Sequence, residues 1–130
     1  MTRDEIMALS GRALDEAVAE RVYRVTVTNG YYWMRQDIPC PDDREGCCVR
    51  HDALVPMPVR PYSSQVWLAF EAAEEAGVFR KHGLILCQQP DTTWLVGEMD
   101  DDDWSRSVLG ATAAEALCRA CLLALSQSGK

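Results

Sequence analysis

The sequence predicts a single mixed α/β domain spanning residues 1–130, with elements in the order helix, two strands, helix, two strands, helix. In three segments apolar residues recur every three or four positions, which is typical of amphipathic helices. Two other segments alternate apolar and polar residues around turn signals, as β-hairpins do. Of the 130 residues, 48% are hydrophobic and 25% are charged, so the chain is of single-domain size and can bury a core.

The helices are predicted from their apolar stripes and their capping residues. Residues 2–5 have capping-box spacing and start a short first helix, and a longer helix follows over residues 14–22. Residues 66–76 form the middle helix, which Ser63 or Ser64 caps and Gly77 ends. A second capping box, at residues 112–115, starts the last helix.

The first hairpin turns at Asn29-Gly30, the strongest short-range hairpin signal in the chain. With a two-residue loop, Thr28 pairs with Tyr31. The residues before Thr28 then pair with the residues after Tyr31. Tyr32 and Met34 then share a core-facing side, and the opposite side is either covered by helices or open to bind a ligand. For the ligand-binding alternative we predict three aromatic residues and one basic residue: Tyr31, Trp33, Arg35 and Tyr62.

Residues 36–61 are predicted to form a long irregular loop, because they contain five of the six prolines. A stretch of twelve residues inside this loop contains three cysteines and a histidine: Cys40, Cys47, Cys48 and His51. Zinc prefers four sulfur and nitrogen ligands, and a bound ion would order the loop. The spacing contains no C-x-x-C pair, so surface thiols or a redox-labile loop are the alternatives to a zinc site. Cys87, Cys118 and Cys121 are predicted to be core residues.

The last hairpin, residues 83–89 with residues 92–99, leads into an acidic stretch. The chain has 20 acidic and 13 basic residues and a net charge of −7, which argues against direct binding to nucleic acid or to an anionic membrane. A run of acidic residues lies at the end of this hairpin and just after it. A tryptophan follows the run, and it is an aromatic anchor of the type found at binding hot spots. We predict that these residues bind a basic partner: Glu98, Asp100, Asp101, Asp102, Asp103 and Trp104. A solvated loop is the alternative.

Three segments of the chain, at residues 14–22 (LDEAVAERV), 60–77 (RPYSSQVWLAFEAAEEAG) and 111–125 (ATAAEALCRACLLAL), resemble the phage ABA sandwich domain family. The resemblance covers most of the chain but not residues 36–59, and Gln65 stands where the family usually has an acidic residue. It implies a three-layer α/β/α sandwich in a phage protein. It carries no catalytic residues to transfer.

Together these observations predict a small acidic phage-encoded binding protein without enzymatic activity, since no catalytic motif is present. We expect it to inhibit a bacterial defence system, of CRISPR type or similar, by occupying a basic surface of a host protein. The alternatives are sequestration of a small signalling nucleotide, a homo-oligomeric structural or assembly role in the phage, and a zinc-stabilised interaction module. We expect a location in the host cytoplasm, because no signal-peptide core or bilayer-spanning apolar stretch is found.

Overall fold

The computed structural model describes residues 1–39, 49–78, 84–98 and 107–128. These residues contain four helices and two antiparallel sheets. In chain order the elements are α1 (Arg3–Ala8), α2 (Gly11–Val22), β1 (Tyr31–Pro39), β2 (Val49–Pro58), α3 (Val66–Glu75), β3 (Leu84–Gln88), β4 (Trp94–Glu98), β5 (Val108–Gly110) and α4 (Ala113–Ser128). β1 pairs with β2, and β4 lies between β3 and β5. The predicted mixed α/β class is confirmed, and the arrangement is consistent with an α/β sandwich.

α4 is the centre of the core, because it contacts α1, α2, α3, β4 and β5. Its residues Leu117, Cys118 and Cys121 are almost fully buried, which confirms the predicted core role of both cysteines. The core cluster also contains buried residues of the other elements, among them Leu14 of α2 and Val96 of β4. Within the described ranges, no helix has both the length and the apolar character needed to cross a bilayer.

A buried arginine on α4 ties three distant parts of the chain together. Arg119 Nη1 donates to the carbonyl oxygen of Leu109 in β5 at 2.6 Å, and its Nη2 donates to that of Leu9, between α1 and α2, at 2.8 Å. Glu115 Oε1 lies 2.9 Å from Arg119 Nη1, and the side chain of Arg119 is only 10% exposed. The guanidinium charge is therefore compensated inside the protein rather than by solvent.

The turn of the first hairpin forms as predicted, but its pairing stops after one residue pair. Asn29 and Gly30 both have positive φ (52° and 83°), as a type I′ turn requires, and Thr28 and Tyr31 exchange both backbone hydrogen bonds. The preceding segment then turns away, because Val25 packs partly buried against the core and its N–H donates to the carbonyl of Ala19 in α2. Burying this segment against the core therefore stabilises the protein more than further hairpin pairing would.

The prediction of an irregular loop over residues 36–61 is wrong, because strands occupy much of it. β1 continues to Pro39, and β2 spans Val49–Pro58 and pairs antiparallel with β1, with one register shift between Gln36 and Ile38. The prolines of β2 had argued against a strand, since proline cannot donate to a ladder. Pro56 and Pro58 are tolerated because neither lies at a position where its nitrogen faces β1.

The other predicted boundaries are mostly confirmed. The β3–β4 hairpin forms as predicted, and Gly77 ends α3 with a φ of 76°. Neither serine caps α3, whose N-cap is Gln65 without a side-chain hydrogen bond. Ser63 is used elsewhere, since its N–H donates to Asp15 Oδ1 at 2.7 Å and joins α2 to the segment before α3. β5 was not predicted, because three residues are too few to show alternation.

Candidate functional site

One face of the β1–β2 ribbon is exposed along its whole described length. Successive side chains of a strand point to opposite faces, so the register Tyr31↔Pro58, Trp33↔Pro56 and Arg35↔Leu54 places these six residues on one side. All six are exposed. We call this set the aromatic face: Tyr31, Trp33, Arg35, Leu54, Pro56 and Pro58.

The aromatic face carries large apolar side chains at neighbouring positions of the two strands. Trp33 is 63% exposed, Leu54 55% and Tyr31 53%. A single exposed apolar residue is ordinary on a protein surface, whereas several neighbouring ones on one strand face form a continuous apolar patch. The prediction that Tyr31 and Trp33 share a face opposite to Tyr32 and Met34 holds, and no helix among the described residues covers it.

The opposite face of the ribbon is more protected. Tyr32, Gln36, Val55 and Met57 are half-buried there, although Met34 is 42% exposed. This difference between the two faces gives the ribbon an inner and an outer side. The outer side is the aromatic face.

The two long edges of the ribbon also differ. The N–H of Val59 donates to the carbonyl of Gly30 at 3.0 Å, so the next pair, Tyr31↔Pro58, has its backbone polar groups pointing outward, as does every second pair after it. Pro56 and Pro58 therefore occupy outward-facing positions of β2, where they remove the N–H groups that another strand would bind. On the outer edge of β1, Thr28 binds the outward groups of Tyr31. From Trp33 onward, no strand within the described residues pairs with this edge.

Tyr62 does not lie with the other predicted ligand-contacting residues. It is 5% exposed, and its ring stacks on Tyr23 with centroids 5.5 Å apart and planes 20° apart. Burial raises the pKa of Tyr62 well above its usual range. Tyr62 belongs to the buried core cluster, so of the four residues predicted to contact a ligand only Tyr31, Trp33 and Arg35 are exposed on the ribbon.

Three of the four predicted zinc ligands and most of the residues predicted to bind a basic partner lie outside the described ranges. These are Cys40, Cys47 and Cys48, and Asp100, Asp101, Asp102, Asp103 and Trp104. The backbone of His51 belongs to β2 and that of Glu98 ends β4, but their side chains are not described. Both sites therefore stay predictions. Within the described residues, no three His, Cys, Asp or Glu side chains are grouped to hold a metal ion.

The β2 half of the aromatic face is not predicted from the sequence. Leu54 and Pro56 were assigned to a loop, although the alternation of Ala53, Val55 and Met57 with these exposed residues is the period-two signal of a strand. A second exposed apolar group, on α3, was also missed. It consists of Val66, Trp67 and Phe70, which are 44%, 57% and 40% exposed.

The fold is similar to that of a solved phage protein from Bacillus cereus. The two align with a TM-score of 0.60 at 13% identity, over 92% of this chain and 90% of that one. No protein-family model and no curated protein matches the sequence. The likeness therefore establishes the fold, and it is consistent with the resemblance to a phage protein family.

Proposed function

We propose that this chain is a phage-encoded binding protein that acts by occupying another protein, and that the partner docks on the aromatic face. The observation that carries the proposal is the side-by-side exposure of Tyr31, Trp33 and Leu54 on a two-stranded ribbon. Aromatic residues that stand exposed at a protein surface are the type that dominates binding energy at interfaces. Catalysis is not part of the proposal, because the sequence contains no catalytic motif.

We further propose that the partner is a host defence protein with a basic, nucleic-acid-binding surface, such as a CRISPR effector. The net charge of −7 supports this choice, as does the run Asp100–Asp103 beside Trp104. An acidic protein is attracted to a basic channel and competes there with nucleic acid. Binding would then be fast and would weaken as salt is added.

A plaque assay tests both parts of this proposal. The chain is expressed in bacteria that carry a CRISPR-type system directed against an infecting phage, and plaque formation is counted. Wild-type protein should restore plaques, and Trp33→Ala should reduce the restoration, because truncating a central aromatic anchor weakens binding by about 2 kcal/mol, roughly thirtyfold. Trp67→Ala is the matched control, since Trp67 is a similarly exposed tryptophan on α3.

The charge component is tested by replacing Asp100 to Asp103 together with asparagine. We expect less restoration and, with a purified effector, a smaller dependence of binding on salt. If wild-type protein restores plaques against none of the defence systems tested, the anti-defence role is refuted. If Trp33→Ala restores plaques as well as wild type, docking on the aromatic face is refuted.

A further inference from the structure

The aromatic face combines two kinds of side chain that pack well on each other. Along β1 it presents Tyr31 and Trp33, and along β2 it presents Pro58 and Pro56 directly opposite them. All four are exposed. Proline rings are common partners of exposed aromatic side chains, as when aromatic-lined grooves bind proline-rich segments. Because the four residues lie side by side on one face, their outward surfaces stay uncovered in the single chain.

The two kinds of side chain also have the same spacing. Tyr31 and Trp33 are two residues apart on one strand, as are Pro58 and Pro56 on the other, so each pair spans about 6.8 Å. A segment that covers both aromatic rings with prolines therefore needs two prolines at this spacing on an extended backbone. β2 of a second copy supplies them in a strand that is already formed, so no segment has to be ordered on binding.

We propose that two copies of the chain pack their aromatic faces together, with β1 of each ribbon over β2 of the other. A two-fold axis that runs along the ribbons, midway between them, produces this arrangement. It sets Trp33 over the partner's Pro56 and Tyr31 over the partner's Pro58, and by symmetry each contact occurs twice. The ribbons then form a small sandwich of the aligned type, with the two sheets about 10 Å apart.

The position of the ribbon on the domain permits this packing. Among the described residues, the buried core cluster contains none from β1 or β2. The contacts of these two strands are mainly with each other. The face opposite to the aromatic face is the more protected one, so the two domains would lie on the outer sides of the sandwich and not between the ribbons.

The exposed area predicts a weak, reversible dimer. Trp33, Leu54 and Tyr31 are 63%, 55% and 53% exposed. With the two prolines they expose about 500 Å² per copy, since a large side chain buries about 150–250 Å². Leu54 would pack under the aliphatic stem of the partner's Arg35, whose charged end stays at the margin of the face. Two copies would bury about 1,000 Å² in total, the low end for specific interfaces, so we expect a dissociation constant in the micromolar range.

Electrostatics allow two acidic chains to meet on this face. Each copy has a net charge of −7, so the copies repel each other, but none of the six residues of the aromatic face is acidic. The exposed apolar group on α3, by contrast, is followed by the exposed Glu71 and Glu74, and two copies meeting there would bring carboxylates together. Salt screens the repulsion and leaves the apolar contacts. The dimer should therefore become tighter as salt is added.

The inference is independent of the proposed host partner, because it uses only the composition and geometry of the aromatic face. If both proposals hold, a second copy and the host partner compete for the same face. Their salt dependences have opposite signs, since attraction between an acidic protein and a basic surface weakens with salt.

Sedimentation velocity over a concentration series measures the dimer. The wild-type chain should change from monomer to dimer as its concentration rises, and at lower concentration when salt is raised from about 50 mM to about 500 mM. Trp33→Ala should weaken the dimer at least about thirtyfold, because each dimer loses two aromatic anchors. Trp67→Ala is the matched control and should keep the dimer, since Trp67 is an exposed tryptophan outside the face. Circular dichroism verifies that both variants fold.

A charge pair tests the direction of the two-fold axis. Trp33→Glu and Pro56→Lys should each weaken the dimer. Both substitutions in one chain should give a dimer about fivefold tighter than Trp33→Glu alone, because each introduced carboxylate then lies over an introduced ammonium group. With an axis running across the strands, Trp33 would face the partner's Trp33, so like charges would meet and the double variant would be the weakest of the three.

The proposal is overturned if the wild-type chain stays monomeric up to hundreds of micromolar at high salt, and the face is then left for an unrelated partner. It is equally overturned if Trp33→Ala dimerises as tightly as wild type, or if Trp67→Ala weakens the dimer as much. A double variant weaker than both single variants refutes the proposed register. A monomer that restores plaques refutes only this inference, and a dimer that restores none refutes only the anti-defence role.

Discussion

Replacing Arg119 should destabilise the protein more than any surface substitution. Its guanidinium donates to the carbonyls of Leu9 and Leu109 and pairs with Glu115, with little exposure to solvent. A hydrogen bond from a charged donor contributes about 1.5–3 kcal/mol, so the two bonds to carbonyls together give about 3–6 kcal/mol. Breaking a buried ion pair by removing one partner costs about 3–5 kcal/mol. We therefore expect Arg119→Ala to lower the free energy of unfolding by about 4 kcal/mol.

Urea unfolding at a fixed protein concentration, followed by circular dichroism, measures this loss. Arg12→Ala is the control, because Arg12 is an exposed arginine of α2 and its replacement should change stability by less than about 0.5 kcal/mol. The double variant Arg119→Met with Glu115→Gln should recover part of the loss, because it removes the uncompensated carboxylate. A loss below about 1 kcal/mol for Arg119→Ala would refute the reasoning.

Four other expectations concern stability and reactivity. Gly110→Ala should destabilise the fold by at least about 1–3 kcal/mol in urea unfolding, because an added Cβ would lie 2.5 Å from the backbone nitrogen of Ala116. Burial raises the pKa of the Cys121 thiol from 9.0 to about 12, and it raises that of Cys118 as well. Native alkylation mapped by mass spectrometry should therefore spare both cysteines, and prompt labelling would contradict their burial. The unfolded chain loses these thiol protons first, so stability should fall as the pH rises above about 9. Thr2→Ala should cost about 1 kcal/mol by removing the capping box of α1, and an unchanged urea midpoint would contradict this.

Local signals in the sequence were sufficient to predict where the helices lie. The capping box at Thr2 forms as predicted. At Thr112 one half of the predicted box forms, since Thr112 accepts from the N–H of Glu115, while the Glu115 side chain accepts from the N–H of Ala111 rather than from that of Thr112. These features depend on residues within one helical turn, so a single sequence reveals them.

The ribbon could only be predicted in part, because its pairing depends on distant residues. Tyr31 and Trp33 were placed on one face from alternation alone, but the strand that pairs with them was not recognised. Proline usually argues against a strand, and only the register with β1 shows that Pro56 and Pro58 avoid the ladder positions. Tyr62 was misplaced for a related reason, since its stacking partner Tyr23 lies far away in the sequence.

The central position of α4 determines when during synthesis the core can form. Arg119 binds Leu9, 110 residues earlier, and Arg3 donates to the carbonyl of Ser107, 104 residues later. Because a ribosome makes α4 after every element that it contacts, the apolar stripes of the earlier helices stay uncovered until that helix emerges. Contacts at such separations also close slowly. The β1–β2 ribbon, by contrast, depends on contacts within about thirty residues, so it can form on the nascent chain well before the helical core.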